Sequence, residues 1–136
     1  MAGMAVCPCG SGLLEVECCE RYRDGRERAP TAEALMRSRY TAYVHQDEGY
    51  LRRTWHPTTR PRTVGFDRGL TWVRLEVVDR TGGSLFDTEG TVRFVAHYTV
   101  DGRPGVLRED SRFVREGGEW LYVGPHETEP ASKPAG

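Results

Sequence analysis

No cysteine follows residue 19 in this 136-residue chain. No apolar run is long enough to span a membrane, and residues 1–6 hold none long enough for a secretory signal. Export and membrane insertion are therefore not expected, and a reduced, cytoplasmic chain is. Charge of one sign is also lacking: the net charge is −1. The whole molecule is thus not steered toward nucleic acid or an anionic membrane. No internal repeat occurs, and no Cys-x-x-Cys redox pair.

The four cysteines that are present crowd one short stretch: Cys7-Pro8-Cys9-Gly10-Ser11-Gly12, then Cys18-Cys19. A Cys-x-Cys pair and a vicinal pair would each close a tiny disulfide loop and remove little chain entropy. In a reduced compartment, clustered thiols hold metal or do redox work instead. Cys7, Cys9, Cys18 and Cys19 can close a tetrahedral shell, and ligand type and count favour zinc (Zn2+). An iron–sulfur cluster or copper(I) would use the same donors. Gly10, Ser11 and Gly12 can turn backbone N–H groups toward the sulfurs. Arg21 and Arg23 could lie against the anionic cluster, although residues 20–28 are nearly charge-balanced and read as a solvated face.

The cysteine pattern resembles the SEC-C motif, best known as the zinc-binding tail of the bacterial preprotein translocase motor. Leu35-Met36-Arg37-Ser38-Arg39-Tyr40-Thr41-Ala42-Tyr43, with Tyr50-Leu51 and Thr54-Trp55-His56-Pro57, resembles the YchJ family of small bacterial proteins. The resemblance runs from Cys7 to about Tyr122. It implies a zinc motif joined to a nuclear-transport-factor-like α+β cone, with no assigned activity. Family members often carry a second cysteine motif at the C-terminus. Residues 127–136 hold none, so a function needing two metal motifs is not expected.

Local patterning reaches a compatible architecture. Residues 20–30 are polar and read as a linker. Thr31 is placed to cap a helix, with Glu33 near its N-terminus. Leu35, Met36, Tyr40, Tyr43, Val44 and Leu51 then recur at helical spacing to about Arg53, with a break near Gly49. Pro57 and Pro61 end the helical run. Period two takes over after Gly69, with strands expected at 72–78, 91–100, 106–115 and 119–123. Val92, Phe94, Ala96 and Tyr98 share one face, opposite Arg93, Val95, His97 and Thr99. Gly117-Gly118 is a two-residue hairpin signal. Trp120 and Tyr122 should be buried with Phe113. Helices followed by a meander argue α+β, with a curved antiparallel sheet. The expected division is 1–28 for the zinc motif and linker, 29–126 for the α+β cone and 127–136 for a disordered tail.

Two further features bear on function. Residues 52–74 carry six arginines (52, 53, 60, 62, 68 and 74) against Asp67 alone, interleaved with Trp55, His56, Phe66 and Trp72. That pattern suits stacking on single-stranded bases, yet tryptophans are more often core anchors, so nucleic acid is the weaker expectation. The mouth of a cone could also take a small ligand, with Tyr98, His97, Asp110, His56 and Glu109 as the polar groups nearby. No spacing fixes a catalytic pair among them. The favoured function is a non-catalytic adaptor whose metal loop docks on a protein partner, linked to translation or secretion by analogy with the translocase motif. The alternative is a ligand-binding protein or enzyme using the cone. A cone filled by aromatic side chains would favour the adaptor, and a buried polar constellation with room beside it the alternative.

Overall fold

The computed structural model describes residues 5–126. The expected disordered tail lies outside the described residues. A 3-10 turn (Glu15–Glu17) and a short helix α1 (Glu20–Arg23) follow the cysteine loop. Helices α2 (Ala32–His45) and α3 (Glu48–Arg53) precede four strands: β1 (Leu70–Gly82), β2 (Glu89–Val100), β3 (Arg103–Glu116) and β4 (Glu119–Pro125). The strands form one antiparallel sheet in the order β1-β2-β3-β4. This is the α+β architecture that the patterning and the resemblance imply.

Helix α2 starts where expected. The Thr31 side chain accepts from the Ala34 N–H at 3.0 Å. The break, however, falls at Gln46-Asp47 and not at Gly49. Gln46 takes a left-handed C-cap (φ 57°), and Asp47 caps α3 by accepting from the Tyr50 N–H at 3.2 Å. Leu35, Met36, Tyr40 and Ala42 of α2 are buried together with Ser38, Arg39 and Thr41. An amphipathic stripe would bury only one side; here a second layer covers the other side.

The sheet curls around α2 because β1 is bulged at two places. Register shifts fall between Trp72 and Arg74 and between Val77 and Asp79. The extra residues, Val73 and Val78, turn outward and are each 57% exposed. Trp72, Leu75 and Val77 therefore face inward despite their uneven spacing. On β2, Val92, Phe94 and Ala96 are buried as the alternation requires. All four strands run longer than expected. Asp101 (φ 51°) and Gly102 (φ 83°) make a tight two-residue turn that lets β2 and β3 pair to their ends. Phe113 (1% exposed) and Trp120 (3%) sit in the core, and the half-buried Tyr122 ring lies 5.7 Å from that of Phe113. The segment after α3 closes one end of the cone: Tyr122 N–H donates to Thr54 O and His56 N–H to Tyr122 O, both at 2.8 Å. Among the described residues, no helix is long and apolar enough to cross a membrane.

Candidate functional site

Two sites are built into this frame, one on the cysteine loop and one inside the cone. The buried cluster of the cysteine loop is made of its four cysteines alone, with Val6 and Leu13 left exposed. The loop is a narrow ribbon in which Cys7 N–H donates to Leu13 O and Glu15 N–H to Ala5 O, both at 2.8 Å. Gly10 (φ 86°) and Gly12 (φ 87°) supply the left-handed turns that fold Cys9 back toward Cys18. The four cysteines are free thiols, all buried. Their sulfurs lie within 4.8 Å of one another, with Cys9–Cys18 at 3.6 Å and Cys18–Cys19 at 3.9 Å. A tetrahedral thiolate shell with bonds of about 2.3 Å has edges of roughly 3.8 Å. The sulfur positions suit that shell, and the cluster could hold a metal ion.

The sulfurs also divide their protons unequally. Hydrogen bonds from Cys19 and Cys9 hold the Cys7 thiol far below its ordinary value, while Cys19, bonded to Cys7 and Cys9 and buried, is pushed far up. Four thiolates cannot coexist here without a cation to offset them. The group that meets Cys18 is the Ser11 hydroxyl, at 3.2 Å from its sulfur.

The loop is seated on the helices. Arg37 Nη1 donates to Cys9 O at 2.7 Å, and Cys7 Sγ lies 3.6 Å from Thr41 Oγ1. Tyr22 of α1 enters the apolar core, so the expected linker contributes to packing. Arg23 is not solvated. It bridges Glu15 at 3.0 Å and Asp47 at 3.1 Å, and Glu15 also meets His45 Nε2 at 2.9 Å. Arg21 donates from Nε to Cys18 O at 3.1 Å. The arginine that reaches the loop from the helical layer is Arg37, on the outward side of α2.

Inside the cone, a cavity of ≈ 200 Å³ is walled by Tyr40, Tyr43, Trp72, Phe94, Phe113 and Tyr122. Its polar lining is Arg39, Glu109 and Ser111. Glu109 Oε2 accepts from Ser111 Oγ and from the Tyr122 hydroxyl, both at 2.7 Å. Arg39 is 5% exposed and donates from Nη1 to Leu51 O at 2.8 Å and to Thr54 Oγ1 at 2.7 Å. Its guanidinium carbon lies 4.5 Å from the Tyr122 ring centre and 4.9 Å from that of Trp55. Burial lowers the Arg39 guanidinium from its ordinary value and, with the Glu109 charge, raises the Tyr122 hydroxyl. A wider cavity of ≈ 590 Å³ adjoins this floor and shares Tyr43, Trp72, Leu107 and Glu109 with it.

Of the five polar residues expected near the mouth, the structure brings in Tyr98 and Glu109. The other three point elsewhere. His97 meets Glu76 at 2.6 Å on the outer face, Asp110 faces Arg93 at 3.8 Å, and His56 meets Glu116 at 3.0 Å. Sequence reasoning missed Arg39, Ser111 and Tyr122. A signal for each was present: Arg39 stands four residues from both Leu35 and Tyr43 on the apolar stripe. Glu109 and Ser111 share a strand face with Leu107 and Phe113, and Tyr122 shares the face of Trp120.

Three of the six arginines of the stretch 52–74 are engaged by carbonyls of the chain itself. Arg52, Arg53 and Arg60 donate to the carbonyls of Pro61, Tyr22 and Trp55. Trp55 packs on Tyr122, and Phe66 and Trp72 on Tyr43, so these rings serve the cone.

Comparison with known proteins agrees with this geometry. A UPF0225 protein of Streptomyces avermitilis is 52% identical over 119 residues, covering 88% of this chain and 82% of its own. One from Chromobacterium violaceum is 49% identical over 123 residues, covering 88% of this chain and 90% of its own. The solution structure of a SEC-C motif containing protein from Rhodopseudomonas palustris superposes with a TM-score of 0.78 at 29% identity, covering 90% of this chain and 98% of that one. A SEC-C motif containing protein from Psychrobacter arcticus gives 0.74 at 26% identity, covering 98% of this chain and 86% of that one. The family model described as YchJ, middle NTF2-like domain, matches residues 31–125, and with relatives at this level of identity the chain belongs to the YchJ family of UPF0225 proteins.

Proposed function

We propose that this is a small-ligand-binding protein whose cone is the working site and whose cysteine loop is a zinc staple. The observation that carries the reading is the buried Arg39–Glu109–Ser111–Tyr122 group beside an aromatic-walled cavity. Buried polar groups of this kind are costly unless each is paired, and they fix orientation where a ligand enters. The cone is lined by its aromatic rings and not filled by them. Binding is favoured over catalysis, because the Tyr122 hydroxyl is committed as a donor to Glu109 and burial keeps it neutral.

Zinc suits the all-thiolate donor set, with Cys7, Cys9, Cys18 and Cys19 as ligands. When bound, it would supply fixed positive charge and no redox chemistry. Free thiols of this kind persist in a reducing compartment, which supports a cytoplasmic location. Metal analysis of purified protein should find one zinc per chain. Four thiols that react freely before any chelation would exclude the staple.

The test of the cone is a screen of small fluorinated fragments by NMR, repeated on Leu107→Trp. Leu107 lines both cavities and is only partly buried, so the larger ring fills space at little cost. Fragment binding that disappears in Leu107→Trp supports the reading. Binding that is absent, or unchanged by that substitution, sinks it.

A second reading keeps the loop as a docking surface for a protein partner linked to translation or secretion, as the resemblance to the translocase motif suggests. One observation favours it: Val6 (64% exposed) and Leu13 (48%), on the two arms of the loop, are apolar and exposed. Arg23 cannot test it, since the residue is structural. Leu13→Asp can, by weakening capture of the partner from native cytoplasm at unchanged zinc content; capture that is undiminished would count against docking.

A further inference from the structure

We propose that Thr41 of α2 is a positioning residue of the metal site: its hydroxyl donates to the Cys7 sulfur and holds that thiolate in place. A helix of the cone then completes a site whose ligands all lie in the loop; this rests on the zinc-staple reading above. Arg37, Thr41 and His45 stand four residues apart, which sets them on one stripe of α2. Each of them meets the cysteine loop. Arg37 Nη1 donates to Cys9 O at 2.7 Å, Thr41 Oγ1 lies 3.6 Å from Cys7 Sγ, and His45 Nε2 meets Glu15 at 2.9 Å. Of the three, Thr41 is the one that touches a sulfur.

The burial of Thr41 makes that contact informative. The residue is 0% exposed, and a buried hydroxyl without a partner is costly. Within a helix the usual partner is a carbonyl about one turn back. Ser38 and Thr54 take that partner, donating to Leu35 O at 2.8 Å and to Tyr50 O at 2.7 Å. Thr41 turns its oxygen to Cys7 instead. Packing alone would be served as well by valine, which has the same branched shape.

The cluster needs such donors. Four thiolates around a divalent ion carry a net charge of about −2. Backbone N–H groups of the glycine turn were the expected source, but Gly10 N–H donates to Cys7 O at 3.3 Å and Leu13 N–H to Ser11 Oγ at 3.1 Å. Among the described residues, the groups other than cysteine that reach a sulfur are two hydroxyls, Ser11 on Cys18 and Thr41 on Cys7. A metal-bound thiolate carries no proton, so in each pair the hydroxyl donates. Outer partners of this kind orient the ligands and tune the metal.

The experiment titrates the metal-free full chain with cobalt(II), read from the sulfur-to-cobalt charge-transfer absorbance, and then displaces cobalt with zinc. Thr41→Val keeps the shape and removes the donor. Zinc affinity should fall about tenfold, the low end of what an outer partner contributes. The charge-transfer band should move to longer wavelength, because a thiolate relieved of its hydrogen bond gives up electrons more readily. Since valine could perturb α2, Thr41→Ser and Thr41→Ala form a second pair: both lose the methyl and they differ only in the hydroxyl. Serine should stay within about twofold of the parent, and alanine should be about tenfold weaker. Unchanged affinity with an unmoved band in Thr41→Val, or a serine variant as weak as the alanine one, would overturn the role of Thr41 and leave the zinc staple standing. A parent chain that binds neither ion would overturn both.

Discussion

The cysteine loop and the cone are ordered by opposite means. The loop has four sulfurs as its own buried cluster and holds its shape through neighbouring cysteines, glycine turns and bonds to α2. The cone has an apolar core drawn from all three helices and all four strands, and it buries Arg39, Glu109 and Ser111 beside that core. Order in the loop is centred on four sulfurs that could share one metal ion, whereas order in the cone is spread over many contacts. The difference teaches where function can be tuned: a loop built on four sulfurs has little to vary, but a cone can vary its lining and still fold.

The sharpest way to break the comparison is to remove a ligand. Metal binding to an all-thiolate loop carries on the order of 10 kcal/mol of local folding free energy. Cys9→Ala should abolish the metal and unfold residues 5–19. Amide exchange should then speed up in the loop and along the side of α2 that carries Arg37 and Thr41, which touch it. The sheet should stay protected. Exchange that stays slow in the loop would mean that the loop needs no metal.

The converse change lies in the cone. Trp120 is 3% exposed and donates from Nε1 to Pro30 O at 3.1 Å. Trp120→Ala should cost about 3–5 kcal/mol in denaturant unfolding while zinc content stays at one per chain. A variant as stable as the parent would show that the β4 face does not carry core weight.

These two expectations also show which structure is legible from sequence. The loop's cysteine cluster reads directly, because the four thiols that could hold a metal are neighbours along the chain. The fold reads nearly as well: Thr31 caps as its side chain requires, and the alternation of β2 places Val92, Phe94 and Ala96 correctly. What does not read is anything set by two elements meeting. The outward bulge residues Val73 and Val78 cannot be told from core valines by pattern. The cavity floor joins Arg39 of α2 to Glu109 of β3 and Tyr122 of β4, and no spacing ties those positions together. Charged residues on an apolar stripe are a signal for such a site, and Arg39 and Glu109 both carry it.

Acid and alkali should separate the two regions in solution. Protons compete with metal for the thiolates, so acid releases the loop first. Alkali should strike the cone. Burial pushes Tyr40 and Tyr50 up to about 12. Folding therefore favours their neutral forms. That stabilisation is fully present below the unfolded value of about 10 and is lost as pH rises from there through the folded value. Tyr50 accounts for on the order of 2 kcal/mol, and Tyr40, whose hydroxyl is nearer solvent, for less. Melting temperature should fall between about pH 10 and 12 in step with tyrosinate absorbance. A flat profile over that window would mean the two rings are not buried.

A milder change tests the seam between the regions. Arg23→Ala removes both ion pairs that tie α1 to Glu15 and Asp47. The side chains are mostly covered, so the loss should be about 1–2 kcal/mol, larger than for an exposed pair. Zinc affinity should drop by a small factor, since the loop keeps its ligands but loses a brace. Unchanged stability with unchanged metal affinity would show that the loop is seated by Arg37 and Tyr22 alone.

The smallest effect isolates backbone geometry from both metal and core. Gly102 holds φ 83° in the two-residue turn between β2 and β3, beside Asp101 at φ 51°. A Cβ built at Gly102 meets nothing within 4 Å, so Gly102→Ala adds no clash and removes no contact. Its whole cost is the left-handed conformation imposed on an L residue, about 1 kcal/mol. The turn lies far in sequence from the cysteine loop, so metal content should not move. Folding should slow in proportion only if this hairpin pairs in the transition state. A loss well above 2 kcal/mol would mean that the turn moves the strands it joins, and Tyr98, which pairs with Gly105 across that hairpin, would then be displaced from the mouth of the cone.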